Sequence, residues 1–130
     1  MASVVILDQG TSGHSSGGLT LDILAERITV RELIRARIYQ EVQDYNRRQP
    51  EYFHGLIKPT EAQTNLTGCR MEKKREIDWH VQFEQACAAF TRQQVLVLVA
   101  DRQVSSLDEE IVLHPRTEVI FLRLVPLAGG

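Results

Sequence analysis

The residue types most suggestive of chemistry stand at the carboxyl end, where LVPLAGG, residues 124–130, follows the apolar run TEVIFLR. Glycine loses more backbone entropy on ordering than any other residue, so Gly129 and Gly130 contribute little to a core. What they permit is access. Without side chains, the last peptide units fit a channel too narrow for ordinary residues and can present the Gly130 carboxylate to another protein's active site. Pro126 removes a backbone donor and favours an extended chain, which ends sheet pairing and stiffens the segment. At about 3.3 Å per residue the segment spans roughly 23 Å, enough to reach from a folded body into a buried site. Leu124 and Leu127 offer apolar side chains for recognition, as in other extended peptides read by backbone and alternate pockets, and Ala128 stays small beside the glycines. The tail 124–130 is expected to be extended or mobile beyond the domain.

The other reactive residue types form no comparable constellation. Cys69 and Cys87 show no CxxC spacing, which argues against a disulfide framework or a thiolate zinc site, and both are expected to be free thiols. Cys87 falls in an apolar helical stripe, where burial raises a thiol's pKa and leaves it inert. His14, His54, His80 and His114 lie in separate segments without HExxH or HxH spacing, so neither a metal nor another cofactor is expected. QGTSGHSSGG is rich in glycine but lacks the GK[ST] ending of a phosphate loop, and it leads into alternating LTLDIL rather than a helix. NLT at residues 65–67 matches a glycosylation sequon by chance, and the mixed run RMEKKRE reads as a solvated face rather than a phosphate site. Of the fifteen basic residues only Lys58, Lys73 and Lys74 are lysines, so few amines are open to acylation.

A net charge of -2 gives no general attraction to nucleic acid or to anionic membrane, and neither is expected as a partner. No charged segment followed by an apolar stretch opens the chain, and no run approaches transmembrane length, so the expected compartment is the cytoplasm. At 130 residues, one domain spanning 1–130 is expected.

The elements that must position the tail follow from periodicity. SVVILD and LTLDIL read as strands joined by a long mobile loop. ERITVRELIRARIYQEVQDYN opens with a capping box between Thr29 and Glu32. Val30, Leu33, Ile34, Ile38, Val42 and Tyr45 then recur as one apolar stripe meant for a sheet, with Arg, Glu and Gln on the remaining faces. Residues 47–78 lose the pattern and read as an ordered insertion, packed through Tyr52, Phe53, Leu56 and Ile57. A second helix, WHVQFEQACAAFTRQ, has Phe83, Ala86, Cys87 and Phe90 as its stripe. QVLVLV is nearly continuous in apolar residues, as for a mid-sheet strand buried on both faces, and ADRQ turns the chain. After SSLDEE come IVLHP and the last strand, TEVIFLRLV.

With the insertion and the second helix removed, the order is a hairpin, a helix crossing the sheet, further strands, and a final strand ending in Gly-Gly. This α+β order resembles the β-grasp fold of ubiquitin and of the sulfur carriers of thiamin and molybdopterin synthesis. ITVREL, VSSLDEEIVL and VIFLRLVPLAGG carry the likeness. With FHGLIKP in the insertion, the chain looks most like bacterial ubiquitin-like modifiers, of the kind encoded beside an activating enzyme, a conjugating enzyme and a JAB-type metallopeptidase.

The resemblance implies a protein that is a substrate rather than an enzyme. An activating enzyme would adenylate Gly130 with ATP, a cysteine thiolate would displace AMP, and target proteins would receive the acyl group on their amines. Gly129, Ala128, Leu127, Pro126 and Leu124 would be read as the tail. Two alternatives share parts of this reading: a sulfur carrier with a thiocarboxylate at Gly130, and a noncovalent β-grasp module whose Gly-Gly is incidental. Ubiquitin carries arginines before its glycines where this chain has Pro126, Leu127 and Ala128, so an activating enzyme selecting arginine there should reject it.

Overall fold

The computed structural model describes residues 2–10, 15–49, 52–53, 55–58, 62–65, 68–71 and 76–125, with backbone alone at 15–17, 62–65 and 68–71. β1 (Ala2–Gly10) and β2 (Ser15–Ile23) form an antiparallel hairpin with a bulge between Leu7 and Asp8. The long loop expected from the Gly/Ser stretch is shorter than that. Ladder bonds use only backbone groups, so Asp8 pairs with Ser16 and Gln9 with Ser15 despite the weak strand propensity there.

β3 (Arg27–Thr29) leads into α1 (Val30–Arg48). The Thr29 hydroxyl accepts from the Glu32 amide at 3.2 Å and the Glu32 carboxylate accepts from the Thr29 amide at 3.2 Å, closing the capping box. Two further free amides of the first turn, those of Val30 and Arg31, donate to the carbonyls of Glu109 at 3.0 Å and Leu107 at 2.9 Å. The helix ends at Gln49, whose φ of 48° is left-handed and whose amide donates to the Tyr45 carbonyl. Its stripe is buried as the spacing requires. The remaining faces are not all solvated, however: Arg37, which the apolar pattern leaves out of the stripe, is only 2% exposed.

The insertion folds into a small sheet of β4 (Tyr52–Phe53), β5 (Ala62–Asn65) and β6 (Gly68–Met71), in the order β4-β6-β5. Phe53, Leu56 and Ile57 are buried and Tyr52 is half-buried. Leu56 and Ile57 join the main core, and Phe53 packs edge-on against Tyr45. Asn46 fixes the returning chain, donating to the Ile77 carbonyl at 3.0 Å and accepting from the Ile77 amide at 2.8 Å.

α2 (Trp79–Thr91) is capped by Asp78, which accepts from the His80 amide at 2.9 Å. Its buried face is Gln82, Ala86, Ala89 and Phe90, a rotation from the expected stripe that leaves Phe83 and Cys87 half-buried. The cause lies in the insertion. The Ile57 carbonyl is brought against this helix and takes a 2.7 Å hydrogen bond from the Gln82 side chain, which draws that residue inward. Burial, with Arg31 opposing, pushes the Cys87 thiol above its usual pKa.

β7 (Val95–Val99), β8 (Arg102–Val104), β9 (Glu110–Val112) and β10 (Arg116–Arg123) complete a mixed α+β fold. The main sheet has the order β2-β1-β10-β7-β8, with β10 parallel to β1 and antiparallel to β7, while β3 and β9 pair separately. β7 is interior to the sheet but is not buried on both faces: Val95, Val97 and Val99 are buried, whereas Leu96 and Leu98 are half-exposed. Among the described residues no helix is long and apolar enough to cross a membrane.

Candidate functional site: the exit strand and the open sheet face

β10 is the central strand, and its register sets where the chain leaves. Arg123 lies opposite Gly10 on one side and Val95 on the other. Pairing continues one residue further, because the Leu124 amide donates to the Gln94 carbonyl at 2.9 Å. Leu124 and Val125 are exposed at the sheet end that β1 and the α2–β7 turn share. Pro126, Leu127, Ala128, Gly129 and Gly130 lie outside the described residues, as do His14, His54, Lys73 and Lys74.

The strand also divides its side chains between two faces. Thr117, Val119 and Phe121 point into the core, and Ile120 and Leu122 point away. On that outer face Ile120 lies between Leu7 and Leu98, Leu122 pairs with Leu96, and Val5 extends the group along β1. These side chains are half-buried by one another and none belongs to the core cluster. The buried apolar residues of both helices, Tyr45 apart, do belong to it, so α1 and α2 cover the other face. Among the described residues, the outer face is an open aliphatic platform reaching the point at which the chain exits. Sequence reasoning missed it. Its signal is present in VVIL, VLVLV and VIFL, all of which read as strands, with cover on both faces expected for VLVLV alone.

Beneath the exit end lies a second feature that periodicity concealed. Arg37 makes a bidentate pair with Asp8, two residues before the end of β1, with Nη2 donating at 2.7 Å. Its Nε donates to Glu41 at 3.3 Å, and its guanidinium lies 4.5 Å from the centre of the Phe121 ring. The other oxygen of Glu41 accepts from the Leu56 amide at 3.0 Å. Burial alone would lower the Arg37 pKa, but Glu41 and Asp8 outweigh it and hold the value above the ordinary one. Burial pushes Glu41 above the usual carboxylate range, with Arg37 and the Leu56 amide opposing. One buried network therefore ties β1, α1, the insertion and the inner face of the exit strand together.

Comparison with known protein families, with curated proteins and with solved structures finds no match.

Proposed function

We propose that this chain is a ubiquitin-like modifier of β-grasp type, acting through a Gly130 carboxylate at which the mature chain ends or to which it is trimmed. The single observation that carries the reading is the last strand: β10 is clamped between a parallel β1 and an antiparallel β7, and Leu124 and Val125, which follow it, are exposed at the end of the sheet. Support also comes from the order of elements, with the β1–β2 hairpin, the crossing helix α1 and a last strand seated beside the first.

In this reading the Gly130 carboxylate attacks the α-phosphorus of ATP in an activating enzyme, releasing pyrophosphate and leaving an acyl adenylate. A cysteine thiolate then attacks the carbonyl and expels AMP to give a thioester. An amine of a target protein attacks that thioester, loses a proton and releases the thiol, which leaves an amide bond. Between thioester formation and amine attack, a cysteine thiolate of a conjugating enzyme takes the acyl group by attacking the first thioester and releasing its thiol, and a JAB-type metallopeptidase later hydrolyses the amide to the free Gly130 carboxylate and the target amine. The modifier itself contributes an accessible chain end and a docking platform, for which the outer face of β1, β10 and β7 is the candidate.

The test is adenylate and thioester formation with a cognate activating enzyme and ATP, read by intact mass, followed by mass shifts on target amines. Deleting Gly130 or replacing it with a bulky residue should abolish transfer and leave the thermal melt unchanged. The reacting carbonyl must come within about 3 to 3.5 Å of the attacking atom, and about 1 Å of misplacement costs on the order of a hundredfold in rate. A Gly130 variant that still forms conjugates through its C-terminus overturns the proposal.

A further inference from the structure

The Arg37 network forms the floor of a cavity of about 320 Å³, within the range of small-ligand sites. Ile6 and Leu19 of the hairpin, Tyr45 of α1, and Tyr52 and Phe53 of the insertion give it apolar and aromatic walls. Its shape depends on Gly55. A Cβ there would stand 2.1 Å from the Phe53 ring and 2.9 Å from a Glu41 oxygen, so only glycine lets the insertion close down on α1 at this distance.

Among the described residues, carboxylates outnumber cations at the floor. Asp8 and Glu41 share the single guanidinium of Arg37, whose three nitrogens already donate to them. At the rim, Asp44 pairs with Arg47, and Arg48, which also lines the cavity, is exposed to water. Among the described residues the floor thus carries one carboxylate more than it has cations, and burial without a further cation pushes Glu41 toward its protonated form, which a cation seated in the cavity would oppose. Each carboxylate has about four acceptor positions and the hydrogen bonds described use two, so acceptor capacity remains.

A hard metal ion does not suit the site. It needs six or more oxygens, whereas these oxygens already serve N–H donors, and among the described residues no group of His, Cys, Asp and Glu is placed to hold a metal. Apolar walls over a negative floor fit a cation carried on a hydrocarbon stem, with the aromatic rings adding attraction for the charge.

We propose that this cavity binds an alkylammonium group, whether from a free amine or from a lysine side chain of a partner protein. The site is independent of the C-terminus and stands or falls apart from the modifier reading. The experiment titrates the full-length ¹⁵N-labelled chain with n-butylamine, with the capped tripeptide acetyl-Ala-Lys-Ala-amide, and with n-butanol as the uncharged control. Saturable shifts at the Asp8, Leu19, Glu41 and Gly55 amides with at least one cationic probe, and none with n-butanol, support the proposal. A response to butylamine alone assigns a free amine, and a response to the tripeptide assigns a partner lysine. Glu41→Gln keeps an acceptor for the Leu56 amide while removing the surplus charge, and it should weaken binding at least about tenfold, the low end for a charge-assisted hydrogen bond. Asp44→Asn, at the rim and outside the floor network, should weaken it by a smaller factor and provides the test if Glu41→Gln does not fold. No shifts with either cation, equal shifts with n-butanol, or affinity unchanged in the folded variants overturns the proposal.

Discussion

Along β10, neighbouring residues of the same strand live in opposite environments. Val119 and Phe121 have no exposed surface and Thr117 has 3%, while Ile120 and Leu122, one step away, remain partly open to water. The inner set is enclosed by both helices and by Arg37, whereas among the described residues the outer set is covered only by its cross-strand neighbours Leu7, Leu96 and Leu98. Such a pairing teaches where each kind of information sits. Removing apolar atoms from the inner face leaves a cavity that the packed surroundings cannot refill, while the outer face can lose side-chain atoms to water. Stability should therefore respond to one face and partner recognition to the other.

The largest expected effect is on the inner face. Phe121→Ala should lower stability by about 3–5 kcal/mol, the range for truncating a buried aromatic residue. It also strips Arg37 of the ring beneath its guanidinium, and with it part of the support for the Asp8 and Glu41 contacts. Urea unfolding followed by circular dichroism measures the loss. A change below about 1 kcal/mol would break the comparison, because the inner face would then be as tolerant as the outer one.

The reciprocal change comes next. Leu98→Thr combined with Leu122→Thr introduces β-branched residues suited to a strand and removes apolar surface that is already half-exposed. Each replacement should cost about 1 kcal/mol of stability, well under a buried truncation. If this face is the docking platform, the double variant should slow adenylate formation with the activating enzyme at least about tenfold, as expected for residues near the centre of an interface. An unchanged rate with a folded variant would move the docking surface elsewhere.

How much of this could be read from the chain differs between the faces for a physical reason. Local rules gave the capping box at Thr29 and Glu32, the buried stripe from Val30 to Tyr45 and the last strand, because these depend on spacing and on hydrogen bonds within a few residues. Long-range partners decided the rest. Arg37 and Glu41 stand at stripe positions, three or four residues from Leu33, Ile34 and Ile38, yet a charged residue there is read as solvated until Asp8 and the Leu56 amide are known to meet it. Gln82 is buried by a carbonyl of the insertion, which no pattern within α2 announces. The continuous apolar run of β7 suggested cover on both faces, and alternation of burial shows cover on only one. For the candidate site, the position of Leu124 at the strand end is described, and residues 126–130 are not.

A smaller effect separates charge from packing on the inner face. In the folded protein Glu41 has a raised pKa, so folding favours its protonated form. Its contribution to stability is therefore fullest below the ordinary carboxylate range and is lost as pH rises through the raised folded value. Gln cannot ionise, and Arg37 and Asp8 remain in both proteins. The stability of Glu41→Gln relative to the natural chain should accordingly improve from pH 4 to pH 8, by about 1.4 kcal/mol for each tenfold difference in proton affinity between the folded and unfolded states. Paired urea titrations across that range measure it. A relative stability that is flat or declines with pH would show that Glu41 is fully compensated by Arg37.

The smallest effect is expected where neither face is involved. Ala100 and Asp101 form the two-residue turn between β7 and β8, with φ of 49° and 68°, and both are exposed. Positive φ at both central positions is the type I′ geometry that matches the twist of paired strands, and it favours Asn followed by Gly. A residue with a Cβ held there carries strain of order 1 kcal/mol or more. The Ala100 amide must be kept, since it donates to the Glu118 carbonyl at 3.0 Å, and asparagine keeps it. Ala100→Asn with Asp101→Gly should therefore raise stability by about 1 kcal/mol, seen as a rise of roughly 3–5 °C in Tm. The turn follows Val99, which pairs with Val119, whereas the chain exits beyond the Val95–Arg123 pair at the other end of β7. Adenylation of Gly130 should consequently be unaltered. A stabilised variant that has lost activity would show that the turn reaches the partner, and the docking surface would have to be extended from the open face around to this end of the sheet.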